Sequence, residues 1–488
     1  MKKLRFILAT FVAVFLAFTG SKALADTYTI TINGDTTGHT YEAYQIFKGD
    51  LSGDTLSNIQ WGNGVTDAGK AALGDAVTKA GTLKNSSDAE AFAKDLADKH
   101  YLQNPIAATG TTITVNEAGY YLVKDKDNTA PKGSAYTSYI MEVVKNVSVN
   151  TKSSVPKVEK KVKDINDSTD SKMSDWQDSA DHDFGDHVPF QLTATLPSNY
   201  ASYKEYYLSF VDTLSAGLKY DKNAKVYVVN GSQEQEVTKK FTIDENGASY
   251  KINNLKSITS DDAGQPVSIT NSSKIVVRYT ATLTTEAKIG AEGNPNTVHL
   301  EYSNNPNYTG NGENSPKGET PKDTVIVFTY KVVVNKVDQD KKPLAGAKFK
   351  LEKKLVNGSY KEVATVSTTA GSKFEFKGLD DGEYRLTETE TPAGYNSIAP
   401  ITFKVTASHE TESDMPKLTD LNGEKVSGEI KFEKDVNAGS LTTDVVNKKG
   451  SLLPNTGGIG TTILYLAGSI LVVGAGILLV TKKRMETK

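Results

Sequence analysis

Leu453-Pro454-Asn455-Thr456-Gly457 stands directly ahead of an unbroken apolar run, 459–480, and a basic end, 481–488, that contains Lys482-Lys483-Arg484. Proline after leucine fixes an extended, kinked peptide that a thiol protease groove can take up. About 20 apolar residues cross a bilayer, and the trailing cations match the positive-inside bias. The pentapeptide is therefore held just outside a membrane, with the C-terminus in the cytoplasm. Two other positions could do chemistry. In Val158-Glu159-Lys160-Lys161-Val162, strand parity puts Lys160 on the face of Val158 and Val162. In the segment from Tyr384 it puts Glu388 on the face of Tyr384 and Leu386, with Glu390 as the nearby competitor. Burial among apolar side chains disfavours charge, moving a lysine toward the nucleophilic amine and a carboxyl toward its protonated form.

The rest of the chain must export and position these groups. Met1-Lys2-Lys3-Leu4-Arg5 is basic, residues 6–18 are apolar, and Ala23-Leu24-Ala25 is a small-residue cleavage site, so 1–25 reads as a signal peptide cut between Ala25 and Asp26. An exported chain can use disulfides, yet this one has no cysteine. Covalent reinforcement, where present, must come from other side chains. Between the two signals lie roughly 430 residues, enough for three domains. A formal net charge of −3 with no basic stripe gives no footprint for nucleic acid.

Alternating runs such as Tyr28-Thr29-Ile30-Thr31-Ile32, Ile275-Val276-Val277-Arg278-Tyr279 and Thr297-Val298-His299-Leu300-Glu301-Tyr302 predict an all-β chain of tandem sandwiches. Residues 67–99 depart from that pattern: Ala71, Leu73, Val77, Phe92, Ala93 and Leu96 have helical spacing, which predicts a helical insertion in the first domain. Polar, proline-bearing stretches at 150–157 and 304–324 read as linkers. They divide the chain into domains 26–152, 153–324 and 325–449, followed by the segment 450–488.

The pentapeptide, span and basic tail together resemble the cell-wall sorting signal of Gram-positive bacteria, which implies a sortase cutting between Thr456 and Gly457 and linkage to peptidoglycan. Val332-Val333-Val334-Asn335-Lys336-Val337-Asp338 with Pro343-Leu344-Ala345-Gly346-Ala347-Lys348-Phe349 resembles the opening of a collagen-adhesin B-type domain, an immunoglobulin-like sandwich. Residues 384–395, Tyr384-Arg385-Leu386-Thr387-Glu388-Thr389-Glu390-Thr391-Pro392-Ala393-Gly394-Tyr395, resemble the E-box of Gram-positive pilins, and the last strand ends Val445-Val446-Asn447-Lys448. The resemblance implies an intramolecular isopeptide bond between Lys336 and Asn447 with Glu388 as the catalytic acid. A folded domain holds amine and amide together, where effective molarities of about 10⁵–10⁸ M are reachable. Such a bond closes a loop of about 110 residues, worth roughly 4–5 kcal/mol by chain-entropy reasoning, and passes tension through a covalent link.

In the second domain, 207–218 resembles the strand that brings an aspartate, Asp212, to such a site, and Leu300-Glu301-Tyr302-Ser303-Asn304-Asn305-Pro306 offers an amide. The expected set is Lys160, Asn304 and Asp212, with Lys161 and Asn305 as fallbacks. Glu117 in the first domain has an E-box flavour, but no lysine or amide partner stands out. The acidic run Asp164–Asp186, with His182 and His187, lacks the glycine and terminal glutamate of an EF-hand. It reads as a solvated loop, with no metal and no cofactor assigned.

As a whole the precursor resembles a sortase-assembled major pilin of streptococcal type. That implies a pilin sortase joining the Thr456 carboxyl to a lysine of the next identical subunit, and a housekeeping sortase attaching the fibre to peptidoglycan. Ancillary pilins are further implied partners, and a host surface ligand is left open. The polymerising lysine is expected after the Val147-Ser148-Val149 strand, at Lys152, with Lys157 of Val155-Pro156-Lys157 as the alternative. There is no nucleophile elbow or phosphate loop of an ordinary enzyme; each Lys, Asn and acid set would turn over once. The alternative is a monomeric wall-anchored adhesin of the same domain type.

Overall fold

The computed structural model describes residues 27–450, apart from 53–54, 138, 144–145, 152, 170–171, 364–365 and 370, together with 466–475 and 477. Ala25 and Asp26, Lys152 and the pentapeptide 453–457 lie outside the described residues. Within the expected span, 466–475 and 477 are helical; among the described residues no helix is long and apolar enough to cross a membrane.

Alternating side chains fold the chain into three successive sandwiches, each a pair of sheets with the apolar parity inside. In the first, Tyr28–Asn33 lies between Thr112–Val115, antiparallel, and Val147–Asn150, parallel. The opposing sheet runs Thr55–Trp61, Tyr41–Ser52, Gly119–Asp125, Ile140–Val143. The helical insertion expected at 67–99 is present as Asp67–Leu73, Ala76–Ala80 and Ser86–Asp98. Thr66, Asp75 and Asn85 cap them by accepting from backbone N–H groups in the first turns. The last helix buries Phe92, Ala93 and Leu96 in the core that also holds Phe47.

In the second sandwich, Lys157–Val162 forms the edge of one sheet, beside His187–Thr195 and then Lys274–Leu283. The facing sheet holds Ser179–Asp181, Asp323–Phe328, Asn294–Ser303, Leu208–Leu214 and Ser249–Ile252. In the third, Tyr330–Asp338 lies between Lys373–Leu379 and, in parallel, the closing strand Ser440–Asn447; Lys348–Lys354, Gly382–Glu390, Ile401–His409 and Leu418–Ser427 make the other sheet.

In the domain layout, the structure differs from the sequence reading at two places. The boundary expected at 324/325 falls inside the strand Asp323–Phe328, which pairs with Asn294–Val298, so the handover between sandwiches comes at Thr329. The stretch 304–324 is not a free linker. Lys317–Glu319 pairs with Glu301–Ser303, and Asn307 donates to the Thr137 carbonyl (2.8 Å) while accepting from Tyr139 N–H (3.1 Å) of the first sandwich. Its asparagines supply hydrogen bonds that a sheet edge would otherwise give, which is why composition alone mimics a linker.

Candidate crosslinking sites

Lys336 sits near the end of the first strand of the third sandwich, preceded on the same face by Val332 and Val334, and is fully buried. Its strand pairs in parallel with the closing strand, Lys336 opposite Val445 and Asp338 opposite Asn447. The amine and the buried amide of Asn447 are thus diagonal neighbours on adjacent strands. From the opposite sheet, Glu388 reaches between them with a fully buried carboxyl, 4.0 Å from Lys336 Nζ. Asn447 Nδ2 donates to Glu388 Oε1 and Oε2 at 2.9 and 3.1 Å, and Lys336 Nζ donates to the Val445 carbonyl at 2.9 Å. Thr391 Oγ1 holds the carboxylate from behind at 2.9 Å. Glu390, the competitor, is exposed at the strand end and pairs with Lys348 instead. Burial lowers the Lys336 amine to about 8 against the opposing charge of Glu388, so near neutral pH about a tenth is uncharged, far more than for an ordinary lysine.

The second sandwich assembles the same three kinds of group differently. Lys160, fully buried, points from its edge strand across the sandwich. Its Nζ donates to Asp212 Oδ1, to Asn296 Oδ1 (2.5 Å) and to the Tyr279 hydroxyl (3.2 Å). Tyr279 donates onward to Asp212 Oδ2 (2.5 Å) and accepts from Asn296 Nδ2 (2.8 Å). Burial again dominates, lowering Lys160 to about 8 despite Asp212 and Asp323. The Phe190 and Tyr279 rings lie 5.6 and 5.7 Å from the amine.

The expected pairing of Lys160 with Asp212 is what the geometry gives, but the amide is Asn296, not Asn304. Asn296 lies near the start of the strand Asn294–Ser303, while Asn304 follows its far end, about 26 Å further along at 3.3 Å per residue. Asn304 faces the first sandwich: its Nδ2 donates to the Ser134 carbonyl (3.3 Å) and its own carbonyl accepts from Tyr136 N–H (2.7 Å). The fallbacks are also displaced. Asn305 accepts from Asn307 N–H in a turn, and Lys161, on the opposite face of its strand, pairs with Asp178 at 2.6 Å.

The acidic loop, read as solvated, is instead packed against the third sandwich. Asp178 N–H donates to the Thr411 carbonyl, Phe184 N–H to that of Gly378, and Val356 N–H to that of Asp167. Lys353, nearly fully buried, donates to Asp380 Oδ1 and, at 2.9 Å, to Asp183 Oδ2. Burial works against its charge, but Asp380 and Asp183 outweigh it and raise the amine above its ordinary range. His409 lies 3.5 Å from Asp164 and 3.6 Å from Asp181; their hydrogen bonds and charge overcome burial and raise it to about 9. His182 donates toward the Lys163 carbonyl (2.9 Å), and His187 is exposed beside Asp221. Glu117 accepts from Gln45 Nε2 at 3.2 Å. Lys157 is exposed at the start of its edge strand.

Comparison with known proteins places these features in context. Residues 330–422 match the SpaA prealbumin-like fold domain family, and 445–487 match the Gram-positive LPXTG cell wall anchor motif. The trypsin-resistant surface T6 protein of Streptococcus pyogenes is 26% identical over 98% of this chain and 99% of its own length. Serine-aspartate repeat-containing protein E of Staphylococcus aureus is 29% identical over 47% of this chain and 20% of its own. Among solved structures, the T6 backbone pilin of serotype M6 S. pyogenes, described as modular and three-domain, superposes with a TM-score of 0.56 at 20% identity, covering 88% of this chain and 100% of that one. With its LPXTG anchor motif, its full-length similarity to the streptococcal T6 surface protein and the fold it shares with the T6 structure, the chain is a cell-wall-located relative of that surface protein.

Proposed function

We propose that this chain is the backbone subunit of a covalent surface fibre, polymerised by a pilin sortase and stiffened by two autocatalytic Lys–Asn bonds, Lys336–Asn447 and Lys160–Asn296. The observation that carries the reading is the enclosure of amine, amide and carboxyl at 336, 447 and 388, on the first and last strands of one sandwich. The lysine passes its proton to the carboxyl, and the neutral Nζ attacks the amide carbon. The tetrahedral adduct then collapses as the carboxyl protonates the departing nitrogen and takes up the second proton of the attacking one. One C–N bond forms, one breaks, and NH₃ leaves. Glu388 contacts the nitrogen that departs, whereas Asp212 contacts the attacking amine and is oriented by Tyr279.

Polymerisation follows from the two ends. Sortase cleavage after Thr456 gives an acyl group that a lysine near the first junction captures; Lys152 remains the expected acceptor, and the exposed Lys157 the alternative. A head-to-tail linkage of this kind does not close and extends indefinitely. Final transfer to peptidoglycan anchors the fibre.

Intact-mass measurement of the secreted chain tests the internal bonds. Each removes one NH₃, about 17 Da, because a neutral amine displaces ammonia, so two losses are expected. Glu388→Ala should restore one and Asn296→Ala the other, while Asn304→Ala should restore none. Recovery of unbranched Lys336 and Asn447 peptides would refute the reading. In cell-wall extracts, an SDS-resistant ladder that collapses in Lys152→Ala or Lys157→Ala supports the fibre; a single monomer-sized wall species would indicate the adhesin instead.

A further inference from the structure

The first and third sandwiches share one strand plan. In each, the opening strand lies between an antiparallel neighbour and the parallel closing strand, and the second strand pairs with the strand that follows a glycine, Gly119 or Gly382. Two residues after that glycine, Tyr121 and Tyr384 each donate to the carbonyl four residues earlier, at Glu117 (2.9 Å) and Asp380 (3.0 Å). Six residues before it, Ile113 and Phe376 pair with Ile30 and Val332. These anchors fix the correspondence between the two sandwiches.

Four residues past each tyrosine stand Asp125 and Glu388, so Asp125 occupies the acid position and is nearly fully buried. Four residues past Ile30 and Val332 stand Gly34 and Lys336, so the nucleophile position holds glycine. A Cβ at Gly34 would lie 2.3 Å from Thr151 Oγ1, and its φ is +106°, so the site has closed over where a lysine stem would pass. Counted on from Asn33–Asn150, where the parallel pairing ends, Ser153 corresponds to Asn447. In place of the amine, Asp125 Oδ1 meets His39 Nδ1 at 2.6 Å, and Asp125 Oδ2 accepts from Thr137 N–H at 2.5 Å. Among the described residues of this sandwich, Lys124 is the one buried lysine. It faces Glu42 directly across a strand pair (3.2 Å), where a link would not join the terminal strands.

We infer that the first sandwich is the third one's plan with its crosslinking positions replaced, held there by a His39–Asp125 clasp, and that it is the extensible unit when the chain is pulled. The contrast rests on the proposed bonds in the other two sandwiches, and the test separates the two ideas. Stretch the secreted chain between its ends by single-molecule force spectroscopy. The wild type should show one long unfolding event, releasing on the order of 400 Å for about 120 residues at roughly 3.4 Å each, whereas the second sandwich exposes to the pull only 297–328 beyond Asn296, on the order of 110 Å. His39→Gln and Asp125→Asn should lower the force of that event without changing its length. No such event, an unchanged force in both variants, or a crosslinked peptide mapped within 27–151 overturns the inference. Further long events in the wild type, releasing 161–295 or 337–446 whether or not Glu388 and Asp212 are present, would instead sink the Lys–Asn bonds while leaving the first sandwich extensible.

Discussion

Two interior sites and one junction each bury a lysine, and they treat it in opposite ways. At Lys160 and Lys336 burial outweighs the nearby acids and the amine falls to about 8. At Lys353 two carboxylates contact a single amine, and their charge wins. The difference lies in the ratio of acids to amines and in what else is within reach: each interior site adds a carboxamide, and the junction adds a second acid. One composition favours a neutral amine and the other a cation that clamps two sandwiches together.

The contrast can be broken most sharply at Glu388. Glu388→Ala should leave Lys336 unreacted and lower the stability of the third sandwich by about 4.7 kcal/mol, the chain-entropy value for a loop near 100 residues. Guanidinium unfolding followed beside intact mass checks both effects together. Lys353→Met strands Asp183 and Asp380 as uncompensated acids, at a cost of about 3–5 kcal/mol; calorimetry should show the loss while the mass shows both ammonia losses intact. If an ammonia loss disappears, Lys353 belongs with the nucleophiles and the distinction fails.

His409 sharpens the junction side. Its folded value is raised to about 9, so its contribution is fully present below pH 6.5 and is lost as pH rises through 9. At most about 3 kcal/mol is involved, and His409→Gln should flatten the fall in melting temperature between pH 7 and 9.5. The smallest effect is expected at Tyr279. Tyr279→Phe removes the hydroxyl that orients Asp212 and Asn296, costing about 1–3 kcal/mol through the groups it leaves unpaired. It should slow formation of the Lys160 bond in freshly refolded chain without abolishing it, as time-resolved mass measurement would show.

Much of this was legible from parity. Alternation exposed Lys160 and Glu388 as charged groups on apolar faces, and the amphipathic spacing around Phe92 and Leu96 marked the helices. The same rule would have found Asn296. In Asn294-Pro295-Asn296-Thr297-Val298-His299-Leu300-Glu301-Tyr302 it shares the buried parity of Val298, Leu300 and Tyr302. Matching the amide to the end of the strand obscured it. The acidic loop was misread for a different reason. Its counter-charges, Lys353 and His409, lie about 170 and 230 residues away in sequence, and no local pattern announces a partner at that separation. The handover at Thr329 was hidden because polar turn residues at 304–324 look alike whether they are free or buttressing a neighbour.

The parallel placement of the third sandwich's opening and closing strands has a further result. With an amide between Lys336 and Asn447, a pull entering at Tyr330 crosses to the exit after six residues. Everything from Val337 to Val446, including the carboxyl that made the bond, then hangs as an unstressed side branch. Loops on that branch are free to change in length and composition without weakening the line that bears the load.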